Sequence, residues 1–238
     1  MFRDYLAHIH CAHKHMPYAM ELIKLLNSEP LWNTLQDLFS YYKETITKKP
    51  EKEELSKIAS QMMKELSTVL SYKPEDREVD LVKLLKSYIA FTVENIGEVL
   101  EKVIRIKRLG VKLGEWDRNL LAVQKKLMEI SREIYSGKVS DIMVDDLRGI
   151  RGTLSTLEKE IVVRLQEVEE KVKTSNIEMA LLEEIKDFKS AVYLCEKTIL
   201  KILSGVTKIK KTDILIELVG NILASVRHII EILVILYA

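Results

Sequence analysis

Apolar residues recur at gaps of three and four along nearly every segment of the chain, and no stretch sustains the apolar–polar alternation of a half-buried strand. The pattern predicts an all-α protein. Helices are read over 2–27, with a kink at Pro17, and over 31–47, 51–72, 75–109, 115–136, 139–173, 176–204 and 212–238. The prolines, Pro17, Pro30, Pro50 and Pro74, all fall in the first third, so no ring interrupts the helices beyond Glu75. Pro30 and Pro50 stand near helix starts, where a missing N–H is harmless, and Pro74 precedes the acidic turn Glu75-Asp76. Gly110 and Gly114 bracket a turn, Gly137 and Gly205 suit C-terminal caps, and Ser140 and Thr212 offer N-cap oxygens. At 1.5 Å per residue the 75–109 helix would be roughly 50 Å long, and a bundle is the natural way to cover it.

Composition narrows the class. With 47% hydrophobic and 31% charged residues, 238 residues can bury the core of one large domain or two small ones. A net charge of +1 creates no general field for nucleic acid or an anionic membrane, so nucleic acid is not an expected partner. Cys11 and Cys195 cannot form a disulfide scaffold, and the opening Met-Phe-Arg-Asp-Tyr-Leu-Ala-His lacks the apolar core of a leader; a cytoplasmic location is expected. Residues 214–238 are the most apolar, yet Glu217, Asn221, Arg227, His228 and Glu231 interrupt the ~20 apolar residues a membrane span needs. That segment reads as a buried bundle helix, with membrane contact peripheral at most. No Walker loop, dinucleotide fingerprint, nucleophile elbow or His-Glu-x-x-His is present, so no enzymatic activity is expected.

The chain also resembles itself. At an offset of 123 residues, Val93-Glu94-Asn95-Ile96-Gly97-Glu98-Val99-Leu100 falls on Ile216-Glu217-Leu218-Val219-Gly220-Asn221-Ile222-Leu223, and Val103 and Ile106 fall on Val226 and Ile229. Apolar residues of one class thus recur around a shared Glu-x-x-Gly, which suggests two related halves. The plainer alternative is that two amphipathic helices rich in Ile, Val and Leu align by periodicity alone. Glycine inside a helix costs about 1 kcal/mol relative to alanine, so the paired glycines imply close approach of a neighbouring helix.

The same residues resemble a family. Glu94-Asn95-Ile96-Gly97-Glu98 is similar to the Glu-x-x-x-Asp signature of the PhoU-like phosphate transport regulators of archaea and bacteria, and Glu217 to Asn221 looks like a degenerate second copy. Pro74-Glu75-Asp76-Arg77-Glu78 resembles the Pro-x-Asp-Arg-Glu opening of that family's third helix, and 226–238 resembles its closing helix. The resemblance implies an elongated bundle of two pseudo-repeated three-helix units, here 1–110 and 115–238. It implies a non-enzymatic role in inorganic phosphate uptake, through contact with a phosphate transporter or its signalling proteins. A homo-oligomer is expected. The family's repeats also bind metal through carboxylates, which here would be Glu94, Glu98, Glu217 and Asn221. Leu55 to Ser60 and Phe188 to Ala191 stand where acid-rich stretches belong, and Asn221 replaces an aspartate.

Other readings of these side chains stay open. Glu94, Glu98 and Glu101 share a helix face, as hard-cation sites on bundles require, but Glu101 and Arg105 are also spaced for an i,i+4 pair on a solvated face. Asp4, His8, Cys11 and His15 would line one face of an N-terminal helix, and imidazole with thiolate suits a transition metal. His8, Cys11 and His15 are therefore an alternative site for iron or zinc. A third reading is a structural helical module that offers grooves to a partner. Lys102, Arg105, Lys107, Arg108 and Lys112 form the best basic cluster and read as a solvated helix end, while Cys195 reads as a small core residue.

Overall fold

A computed structural model describes Ala19, residues 22–26, 28–48, 78–108, 114–167 and 175–215, and single positions between 57 and 71. Its named elements are α1 (Glu29–Lys48), β1 (Glu78–Asp80), α2 (Leu81–Arg108), α3 (Trp116–Tyr135), α4 (Asp141–Glu167), α5 (Ser175–Leu203) and β2 (Lys208–Lys210). Helices dominate, as the periodicity predicts. The exception is a two-stranded ribbon of β1 and β2. Residues 78–80, expected inside a helix, are strand, and α2 begins only at Leu81. Asp80 sets that start: its carboxylate accepts the N–H groups of Val82 at 2.8 Å and Lys83 at 3.0 Å, which makes it the N-cap. Both strands read polar-apolar-polar, Glu-Val-Asp and Lys-Ile-Lys, too short for an alternation test to register.

By packing, the chain forms two compact units, 80–208 and a second that joins 1–79 to 209–238. The repeat boundary expected at 110–115 lies inside the first of these, between α2 and α3. A helix follows each strand directly, at Leu81 after β1 and at Lys211 after β2, so Thr212 stands inside its helix instead of capping it. Counted from these junctions, the two strand–helix segments correspond at an offset of 130, one heptad from the 123 of the sequence match. A slip of seven residues turns a helix face by only about 20°, so apolar periodicity alone does not set the register.

In the unit that joins 1–79 to 209–238, Ser28 accepts the N–H of Leu31 at the start of α1, and Pro30 sits in the first turn. Leu22, Leu26, Leu31 and Leu35 are fully or almost fully buried. The ammonium of Lys211 donates to the carbonyl of Leu26 at 2.5 Å, a buried tie between the unit's two chain segments.

In the 80–208 unit, α2 packs on α3 and on α5, and α5 packs on α4. Its core repeats by sevens: Leu120, Leu127 and Ile134 on α3, Leu147, Leu154 and Ile161 on α4, and Ile185, Val192 and Ile199 on α5 are all 0% exposed. This is the seam of an antiparallel bundle. The tight exit from α3 is a Schellman turn, with Gly137 at φ 84° and the N–H groups of Gly137 and Lys138 donating to Ile134 and Glu133. Gly205, at φ 89°, ends α5 in the same way, through Ile202 and Lys201. Both glycine caps are as expected. α3 and α4 touch each other only sparsely along their length, which leaves an opening between them.

Candidate functional site

Of the expected metal ligands, Glu94 is exposed and Glu98 is half-buried on α2. Glu217, Asn221, His8, Cys11 and His15 lie outside the described residues. Among the described residues, no group of three or more His, Cys, Asp or Glu side chains is placed to hold a metal ion. Gly220 lies outside the described residues, while Gly97 is exposed, and among the described residues nothing beyond its own helix lies within 4 Å of where its Cβ would stand. Its neighbour Asn95, which no motif singled out, is 1% exposed. The Asn95 amide donates to the Phe91 carbonyl at 2.7 Å, and its side-chain oxygen is buried with no hydrogen-bond partner among the described residues.

The basic cluster also divides. Arg105 and Arg108 are exposed in the last turn of α2, as a solvated helix end requires. Lys102 instead lies in the α2–α5 seam, 10% exposed, with its ammonium 3.3 Å from the carboxylate of Glu184, itself 1% exposed. Lys107 reaches Asp117 at the start of α3, and this hydrogen bond holds the Asp117 carboxyl below the usual aspartate value. Cys195 is buried, with Sγ 3.4 Å from the Thr92 hydroxyl, in keeping with a core role.

α5 carries further buried carboxylates that no motif marks. Glu196 accepts from Arg148 at 2.9 Å and Arg151 at 2.6 Å, and Glu178 accepts from Arg164 at 2.7 Å. These links join α5 to α4. Each glutamate flanks the apolar stripe of its own helix, a weak signal that becomes meaningful only once a basic residue on the next helix is seen opposite it.

Among the described residues of the 80–208 unit, the opening between α3 and α4 is the one pocket that both helices line. It is a slot of about 460 Å³. Its floor is apolar: Leu120 and Val123 from α3 meet Ile150 and Leu157 from α4, each less than 7% exposed. Its α4 wall is low because Gly149, Thr153 and Thr156 are small, and the two hydroxyls donate back to the carbonyls of Gly149 and Gly152 at 3.2 Å. A polar link spans each end. The Trp116 indole N–H donates to the Glu160 carboxylate at one, and Lys126 pairs with Asp146 at 3.1 Å at the other. From Trp116 to Lys126 the helix rises about 15 Å. No sequence motif marked these residues, because they come from different helices and share no spacing.

Hydrogen bonding to Asp146, then the charge of that carboxylate, raises the Lys126 pKa above the ordinary lysine value. A raised lysine pKa means that the pair is fully formed below the free value of about 10.4 and is lost only as pH climbs through the raised one. An NMR titration that resolves Lys126 is expected to give a midpoint above that of a free lysine, and Asp146→Asn should return it toward the free value. A midpoint at or below the free value would show the link to be broken in solution.

No family model, curated protein or solved structure matches the chain. Among the described residues, no helix is long and apolar enough to cross a membrane. The slot brings together an apolar floor, an indole, an amide and carboxylates, a set suited to holding a ligand by apolar contact and hydrogen bonds.

Proposed function

We propose that the chain is a non-enzymatic binding protein whose working surface is the α3–α4 slot. The carrying observation is the slot itself: about 460 Å³ of apolar-floored space, with each end bridged by a side-chain link between two helices. Such volume and lining are typical of preformed ligand sites. Its cellular role, in this proposal, is the one implied by the PhoU-like resemblance of 74–109 and 212–238. The protein tunes phosphate uptake through contact with a transporter or its signalling proteins, and 1–110 and 115–238 are divergent repeats of that family. The support for this narrower part is the signature stretch Glu94 to Glu98, with Glu94 at the surface of α2.

The test is uptake of radiolabelled phosphate in cells that lack the chain. Uptake is expected to rise on deletion, to return to its starting level with the wild-type chain, and to stay high with Gly149→Leu. A Cβ at Gly149 meets nothing within 4 Å among the described residues, so the leucine side chain is accommodated by the backbone while it fills the slot. Unchanged uptake on deletion would remove the phosphate role. Full rescue by Gly149→Leu would remove the slot as the working surface.

A further inference from the structure

The chemistry of the slot selects among ligands. Its floor of Leu120, Val123, Ile150 and Leu157 offers no polar atom to a guest, so the body of a ligand there is apolar. The ionised side chains that line it are Asp145, Asp146, Glu160 and Lys126. Lys126 pairs with Asp146, and Asp145 meets Arg148 at 3.5 Å, while among the described residues no ion pair forms at Glu160, at the far end. One Glu160 oxygen accepts from the Trp116 indole, and the carboxylate is exposed. The Trp116 indole is 7% exposed and turns its N–H edge toward Glu160, so what draws an organic cation to this end is the carboxylate charge beside the apolar floor. An anionic guest would meet three carboxylates, of which Lys126 and Arg148 balance two, and would be repelled by Glu160.

From this complementarity we infer that the slot binds a small organic cation: an alkylammonium whose chain lies on the apolar floor and whose charged head sits at Glu160 beside Trp116. The inference rests on the reading of the slot as a binding site and adds the class of its ligand. Neither the apolar periodicity nor the net charge of +1 points to it, because the acids that define the preference come from one slot wall in a chain balanced overall.

Trp116 supplies the readout. The chain has two tryptophans, so in a Trp32→Phe protein the indole emission comes from Trp116 alone. Octylammonium, octanol and octyl sulfate are titrated below micelle-forming concentrations, with the fold monitored by circular dichroism. Octylammonium is expected to change the emission saturably and to bind at least tenfold more tightly than octanol, with no saturable change from octyl sulfate. Gly149→Leu should abolish binding. Glu160→Gln should bring octylammonium down to the affinity of octanol. Equal binding of all three compounds, lost in Gly149→Leu, would overturn the cation assignment and leave the slot reading intact. Absence of saturable binding by any of them, with the fold preserved, would overturn both. Cation-selective binding that survives Gly149→Leu would place the cation elsewhere and overturn the proposal.

Discussion

Lys102→Met is expected to destabilise the 80–208 unit by about 3–5 kcal/mol, the cost of removing one member of a buried ion pair. The Glu184 carboxylate is 1% exposed, so water cannot replace the lost ammonium without opening the α2–α5 seam. Intact, the pair adds little net stability, because desolvation of both ions offsets most of their attraction. That asymmetry makes the double variant informative: Lys102→Met with Glu184→Leu should recover most of the loss, since two apolar groups then meet across the seam. Denaturant unfolding followed by circular dichroism measures both. A single variant within 1 kcal/mol of the starting protein would mean that Lys102 leaves the seam for water and that the ion pair does not form.

Phe188→Ala, one turn along α5 from Glu184, is expected to cost a similar 3–5 kcal/mol for a different reason. Phe188 is 0% exposed and is the largest of the fully buried side chains among the described residues. Truncation removes its transfer free energy and leaves a cavity that heptad-spaced neighbours on stiff helices cannot close. Leu121→Ala is the control, because Leu121 is 55% exposed on α3 and its loss should stay within about 0.5 kcal/mol. Equal losses at the two positions would argue that Phe188 is not buried in the core of its unit. If Phe188→Ala alone unfolds the unit, Phe188→Leu retains enough volume to be measured in the folded state.

Much of the local structure is legible without coordinates. The helix expected over 115–136 is observed over Trp116–Tyr135, and that expected over 176–204 over Ser175–Leu203, because apolar spacing and the cap glycines Gly137 and Gly205 act within a few residues of chain. The ribbon is the local miss: Val79 and Ile209 are single apolar residues between polar ones, and each strand is defined only by its partner more than a hundred residues away.

The site was less accessible, for a related reason. Glu94, Glu98 and Gly97 attract notice by motif, yet the described structure gathers no metal cluster around them and leaves Gly97 open. Lys102 reads as one more cation at a helix end until α5 brings Glu184 against it. Trp116 and Glu160 carry no motif, and only the way α3 and α4 part after the turn at Gly137 makes them neighbours.

The sequence by itself determined the helical class, the spans of α3 and α5 and the glycine caps that end them, since hydrogen bonding within a helix and burial of one face depend on residues three, four and seven apart. Tertiary structure alone decided which helices pack, which charges are buried and where the slot opens. Those properties depend on contacts between helices, and an apolar stripe tells a helix to bury a face without telling it against which neighbour.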